Sequence, residues 1–355
     1  MALNFCDGFD HYDTDLLNHK WDYSGGTIYP GTPSIAVGEG RFASNAVKMT
    51  DTWCRLSKAM PNGPLGTVTA GVAYRPYNGL VAANMYILTF LSGTTFLISV
   101  GVTATQNIFI QCGGYAGPII AYGGTPVRTN AWNYIEMQVS NFSSGGGAVK
   151  VWLNEVLILD LSGVMTTYGG YSVAEAVMLG GRSSWVRTDM PDQYFDDFYL
   201  TDANGSDNTA NLGDVRIIEQ LPISDHDKEW TPSAGIDHYA LVDDPAAAID
   251  DDATYVTTPT HDAKDTYAFP PLPTVTGDVK AMAMNFYAKK LDSGSRGVSM
   301  TATLNESPPG YGDGNERRVG GDYVFYQSFM ERDPNGALWT ISNVNASKSG
   351  PKLTT

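Results

Sequence analysis

Charge, cysteine and long apolar runs are all scarce in this chain, and each scarcity excludes something. Only 17% of its 355 residues are charged, and basic residues are the minority: 22 against 38 acidic ones, a net charge of −16. Binding nucleic acid through its phosphates needs a basic surface, so that function is excluded, and docking on an anionic membrane is disfavoured. The three cysteines, Cys6, Cys54 and Cys112, are odd in number and form no CxxC pair. That argues against a disulfide framework and a close-paired zinc site, and for buried free thiols of a chain assembled in a reducing cytoplasm. No stretch approaches the roughly 18 apolar residues of a spanning helix, so no membrane insertion is expected. The opening MALNFCDGFDHYD lacks the basic and apolar regions of a signal peptide. No heptad run supplies a coiled-coil stalk.

Strand-forming and turn-forming residues are abundant instead. With 38 glycines, 19 prolines and 20 tyrosines among many Thr and Val, the composition describes short strands joined by tight turns. Period-two or continuous apolar runs fall at 67–74, 85–91, 95–102, 107–112, 132–139, 148–153, 156–161, 177–180 and 194–200. Ser92-Gly93-Thr94 sits between two of these runs and predicts a hairpin. A polar linker comes next, TDANGSDNTANLGD and then VRIIEQLPISDHD. Strand-like runs return at 266–269, 279–288, 297–304 and 323–329, and one short helix is expected from about Trp339 to Ser347, closed by Gly350 and Pro351. The fold class is all-β. Two β-sandwich domains are expected: residues 1–220 a jelly roll, residues 221–355 a smaller sandwich with the short C-terminal helix.

The most conspicuous chemistry is the carboxylate pair in QYFDDFYL, residues 193–200. Neighbours on a regular strand point to opposite faces, so Asp196 and Asp197 should diverge, one into the sandwich and one outward, whereas a glycosidase pair must flank one bond. The expectation is structural: one carboxylate ties a nearby turn through backbone N–H groups, while Phe195, Phe198 and Tyr199 divide between core and surface. Glu136 in WNYIEMQV has no carboxylate partner at strand-mate spacing. His11, His19, His226, His238 and His261 form neither HxH nor HExxH, and the DHY triplets around His11 and His238 read as hydrogen-bonded structural rings. No GxSxG elbow, GxGxxG or GxxxxGK[ST] motif occurs. No catalytic residue, metal site or cofactor is therefore assigned. Calcium has faint candidates in Asp202, Asn204 and Asp207, oxygen ligands around a glycine without the distal Glu of an EF-hand, and in the acidic run 250–252.

Several phrases taken together carry a resemblance: DGFDHYD, then WNYIEMQV with VKVWLNEVLILD after it, then YFDDFYLTDANGS and NLGDVRI. They resemble the concanavalin A/laminin-G-like jelly roll of tailed-bacteriophage virion proteins. KEWTPSAGIDHYALVDD and RDPNGALWTISNVNAS resemble the module behind it in the same proteins. The resemblance implies a non-enzymatic structural component assembled in the bacterial host cytoplasm and held in several copies on the virion. It would be a tail or baseplate accessory or a capsid decoration protein, contacting other virion proteins and itself. Two alternatives remain. A carbohydrate-binding host-recognition module would gather Trp53, Tyr115, Tyr168 or Trp185 on loops at one edge of the sandwich and touch a host-surface glycan. A glycan-degrading enzyme would need two carboxylates facing a common groove.

Overall fold

The computed structural model describes residues 2–24, 32–50, 54–77, 84–181, 192–304 and 310–355. The chain forms two compact units, Ala2–Ile217 and Ile218–Thr355.

The larger unit is built, among the described residues, from strands β1 (Leu3–Asp7), β2 (Tyr23–Ser24), β3 (Ser34–Ala36), β4 (Ala46–Met49), β5 (Arg55–Ala59), β6 (Thr67–Pro76), β7 (Met85–Ser92) and β8 (Thr95–Val102). Beyond these come β9 (Asn107–Cys112), β10 (Ile119–Pro126), β11 (Asn133–Ser140), β12 (Gly147–Leu153), β13 (Val156–Val164), β14 (Ala176–Gly180) and β15 (Gln193–Asp202). They divide into two antiparallel sheets, ordered β13-β12-β11-β6-β15-β4-β3, with β1 also on β15, and β10-β9-β8-β7-β14-β5-β2. Sequence neighbours pair within a sheet, as in β7–β8, while β6–β15 and β7–β14 bring distant segments together, which is jelly-roll wiring. Ser92 pairs with Thr95 across the expected hairpin.

Alternation then sorts side chains by face. On the first sheet Val68, Ala70 and Val72 of β6 register with Val139, Met137 and Ile135 of β11, all fully buried. On the second, Leu88, Val100 and Ile110 do the same across β7, β8 and β9. These faces form the core. The reverse face of each sheet is unusual in being buried as well. The first carries Thr69, Glu136, Tyr199 and Thr201, and the second Tyr86, Thr89, Ser99, Phe109, Gln111 and Met178. A glycine accommodates the ring on each: Tyr199 lies over Gly71 and Phe109 over Gly101, close enough that a Cβ would stand 2.2 and 2.5 Å from ring carbons.

The smaller unit has a sheet formed by Ser224–Lys228, Asp265–Ala268, Lys348–Leu353, Gly297–Thr303 and Tyr311–Asp313, with Arg317–Arg318 also pairing Gly297–Thr303. A second ladder joins Met282–Ala288 to Val324–Met330. Phe286, Val298, Met300, Ala302, Met330 and Trp339 form the core between them. The expected helix is there, Ile341–Ala346, capped by Thr340, whose hydroxyl accepts the Asn343 N–H at 3.1 Å. The residues after the helix depart from expectation. Gly350 and Pro351 do not close a helix; they lie inside the central strand Lys348–Leu353. Gly350 is required there because a Cβ would stand 1.9 Å from the Asp265 carbonyl oxygen.

Candidate functional site

The QYFDDFYL carboxylates depart from regular strand geometry. The β6–β15 register slips between Asp196 and Tyr199, and Asp197 adopts φ 47°, a left-handed conformation inside a β-bulge. The bulge re-aims the side chains, so the expected divergence does not occur. Both carboxylates converge on Arg41, in the loop before β4. Asp196 Oδ2 accepts the Arg41 N–H at 2.7 Å and the Ser44 hydroxyl at 3.0 Å, and its Oδ1 accepts the Asp197 N–H at 2.7 Å. Asp197 Oδ2 accepts from the Arg41 guanidinium at 2.8 Å, and its Oδ1 from the Ile217 N–H at 2.7 Å. The turn-tying role is therefore met by both residues. Both are buried, so they share no open groove. Burial, aided for Asp196 by the charge of Asp197, raises their pKa values. Asp10, which accepts the Asn45 N–H at 2.7 Å in the same loop, is pushed up to about 6 by burial.

The flanking aromatics also depart from expectation. Phe195, Phe198 and Tyr199 are all buried, none reaching solvent. Phe198 packs on Phe5 and Trp21, and Tyr199 donates to Glu136 Oε1 at 2.5 Å. The same oxygen accepts the Leu212 and Gly213 N–H groups at 2.9 and 3.0 Å, so Glu136 fastens the segment leaving β15 against the sheet. Its other oxygen is buried without a partner, and burial raises its pKa.

Carboxylates thus anchor the Arg41 loop, and that loop shapes a cleft. Arg41, Phe42, Trp132, Tyr134 and Asp214 line about 240 Å³. Arg41 also donates to Asp214 at 2.5 Å and to the Val215 carbonyl at 2.9 Å. Phe42 and Ala43 are consecutive non-glycine residues at positive φ, 55° and 66°, and Phe42 is left 60% exposed. Local motifs gave no signal for this cleft, because it depends on a bulge and on contacts between residues more than 150 positions apart.

The calcium candidates are engaged elsewhere. Asp202 accepts Asn4 at 3.0 Å and the Asn204 N–H at 2.6 Å, an Asx turn, while Asp207 accepts the Ser206 hydroxyl. In the acidic run, Asp250 accepts from Thr254 and Asp252 pairs with Lys289. No group of three His, Cys, Asp or Glu side chains able to hold a metal occurs among the described residues. His238 contacts buried Asp265 at 2.6 Å, and His11 contacts Lys20 at 3.0 Å. Cys54 and Cys112 are buried and Cys6 is half-buried.

Of the glycan candidates, Trp53 and Trp185 lie outside the described residues. Tyr115 and Tyr168 are 44% and 51% exposed. Tyr168 lies over Gly113, beside the turn that carries Tyr115, and Tyr171 reaches Thr95 at 3.4 Å. A tyrosine ledge therefore stands at one end of the second sheet.

The larger unit is a jelly-roll β-sandwich. No protein-family model matches the chain, and no curated protein does. Solved structures similar to it include the endo-β-1,4-glucuronan lyase of the fungus Trichoderma reesei, at TM-score 0.45 and 16% identity over 56% of this chain and 95% of that one. The alginate lyase vAL-1 from Chlorella virus aligns at TM-score 0.41 and 11% identity, over 53% and 98%. The PL-14 alginate lyase of Aplysia kurodai aligns at 0.38 and 9%, over 47% and 86%. These are polysaccharide-degrading enzymes. On that finding, the expectations of a non-enzymatic virion component and of a chain without enzymatic activity are withdrawn.

Proposed function

We propose that the larger unit is directed at polysaccharide, and that the tyrosine ledge is where it holds the sugar chain. The observation that carries this reading is the grouping of Tyr115, Tyr168 and Tyr171, each at least 40% exposed, at one end of the second sheet. A phenol offers an apolar ring face to the C–H side of a pyranose and a hydroxyl to its polar rim. Three such rings in one place are a platform for several sugar units. The test is a panel of neutral and uronate polysaccharides assayed by affinity electrophoresis with the full chain. Tyr168→Ala weakens retention about tenfold or more, as expected when a contact worth about 2 kcal/mol is lost. Retention equal to wild type in both Tyr168→Ala and Tyr115→Ala defeats the reading.

Cleavage of the held chain is the second reading, and the observation that favours it is the polar row on the reverse face of the second sheet. Tyr86 donates to Gln111 Oε1 at 3.0 Å, Gln111 donates to the Gly117 carbonyl at 2.9 Å, and Thr89 donates to Ser99 at 2.8 Å. Burial raises the Tyr86 phenol well above its usual range. It therefore stays protonated, so that the phenol and the Gln111 amide are both neutral hydrogen-bond donors that could hold a uronate oxygen. Both groups are covered, so this role requires the face to open. Release of unsaturated oligosaccharides from uronate polymers, abolished by Tyr86→Phe with retention intact, is the expected result. Undiminished release by Tyr86→Phe excludes the tyrosine.

A further inference from the structure

We propose that the cleft lined by Arg41, Phe42, Trp132, Tyr134 and Asp214 is a second sugar-binding site, one that takes a single neutral pyranose. It does not depend on the tyrosine ledge.

The size and chemistry of the cleft select this ligand. At about 240 Å³ it lies below the ~300–1,000 Å³ of pockets for drug-sized molecules, so it holds one ring and not a chain segment. Three of its five lining residues are aromatic, and the two polar ones are an arginine and an aspartate. Aromatic walls with a few fixed polar groups are the general composition of a small-molecule site. Polar groups at the mouth decide the charge. The Arg41 guanidinium already serves Asp197 at 2.8 Å, the Val215 carbonyl at 2.9 Å and Asp214 at 2.5 Å. It therefore does not present the open fork that would grip a carboxylate or phosphate. The side chain of Asp214 is 37% exposed and offers a charged acceptor to hydroxyl donors while repelling an anion. Hydroxyls are welcome there and acids are not.

The cleft also looks prepared for occupancy. Phe42 stays exposed at the cost of two consecutive left-handed residues, Phe42 and Ala43. Non-glycine residues held in this way persist only where surrounding contacts impose them, and they cluster at ligand clamps. Here those contacts come from Asp196, which fixes the backbone N–H of Arg41 and the hydroxyl of Ser44 on either side of the pair. Guanidinium groups stiffen the aromatic walls further. Arg41 lies 5.0 Å from the Phe42 ring centre and 5.4 Å from that of Tyr134, Arg216 lies 4.3 Å from Phe42, and Arg75 lies 5.0 Å from Trp132.

Saturation-transfer NMR on the full chain tests this, with methyl glucoside, methyl galactoside and methyl mannoside as neutral probes and glucuronate as the charged one. In a Tyr115→Ala/Tyr168→Ala background, which takes the ledge out of the readout, transfer to at least one neutral glycoside is expected, with none to glucuronate. Adding Phe42→Ala or Trp132→Leu should lower that transfer at least fivefold. Circular dichroism of both cleft variants checks that the sandwich remains folded. The proposal is overturned by full transfer in a folded Phe42→Ala variant of that background, by absence of transfer to every neutral glycoside, or by preference for glucuronate.

Discussion

Side chains buried on the outward faces of the sheets make the sharpest single-residue expectations. Tyr199 gives Glu136 one of three hydrogen bonds to a single oxygen. Tyr199→Phe therefore costs about 1–3 kcal/mol, read as a lower urea midpoint at unchanged slope. Gly71→Ala pushes a Cβ into the Tyr199 ring and is expected to cost about 1–3 kcal/mol on the same measurement. Asp10 governs a pH effect. Its pKa in the folded chain is raised to about 6 from 3.8, so its stabilising contribution is complete below pH 3.8 and lost as pH rises through about 6. Asp10→Asn removes that loss while leaving an acceptor for the Asn45 N–H. The variant should melt a few degrees above wild type at pH 8, with the gap closing towards pH 4. An equal shift at both pH values would show that Asp10 does not titrate in this window.

At the level of elements, most strands were legible in the sequence, because alternation and turn residues are local signals. The runs at 67–74, 107–112 and 148–153 reappear as β6, β9 and β12. Three things were not. Strand β1 hides inside the short apolar start of the chain, which carries no alternating pattern long enough to count. Lys348–Leu353 reads as a helix stop because Gly and Pro usually end helices, yet here Gly350 admits the neighbouring backbone of Asp265. The bulge in β15 turns two diverging aspartates into a converging pair, and a bulge is a property of two strands together. The candidate cleft was invisible for the same reason, while the exposed Tyr115 and Tyr168 could be picked out as loop aromatics. Thr340→Ala removes the cap of the helix Ile341–Ala346 and should cost about 0.5–2 kcal/mol in the smaller unit, measured by urea unfolding. Asp196→Ala frees the Arg41 N–H and the Ser44 hydroxyl, and it should make the 41–44 amides exchange with solvent faster than in wild type.

For the molecule as a whole, the division into Ala2–Ile217 and Ile218–Thr355 predicts that residues 2–217 fold when expressed alone. A cooperative thermal transition and the near-ultraviolet signal of packed aromatics would bear this out; a fragment without either would show that the units depend on each other. The net charge of −16 adds a second expectation: moderate salt screens self-repulsion and should raise the melting temperature. The paired glycine and aromatic residues have a further consequence, for how the sheets assemble. Tyr199 faces Gly71 and Phe109 faces Gly101 in adjacent strands. Sliding β15 two residues along β6 would keep every side chain on its proper face, so alternation alone tolerates the error. It would also drive the Tyr199 ring onto Thr69 or Ala73, both of which carry a Cβ. Each sheet thus contains a notch that admits one ring in one alignment, a proofreading device that rejects misaligned strands while the sandwich is still closing.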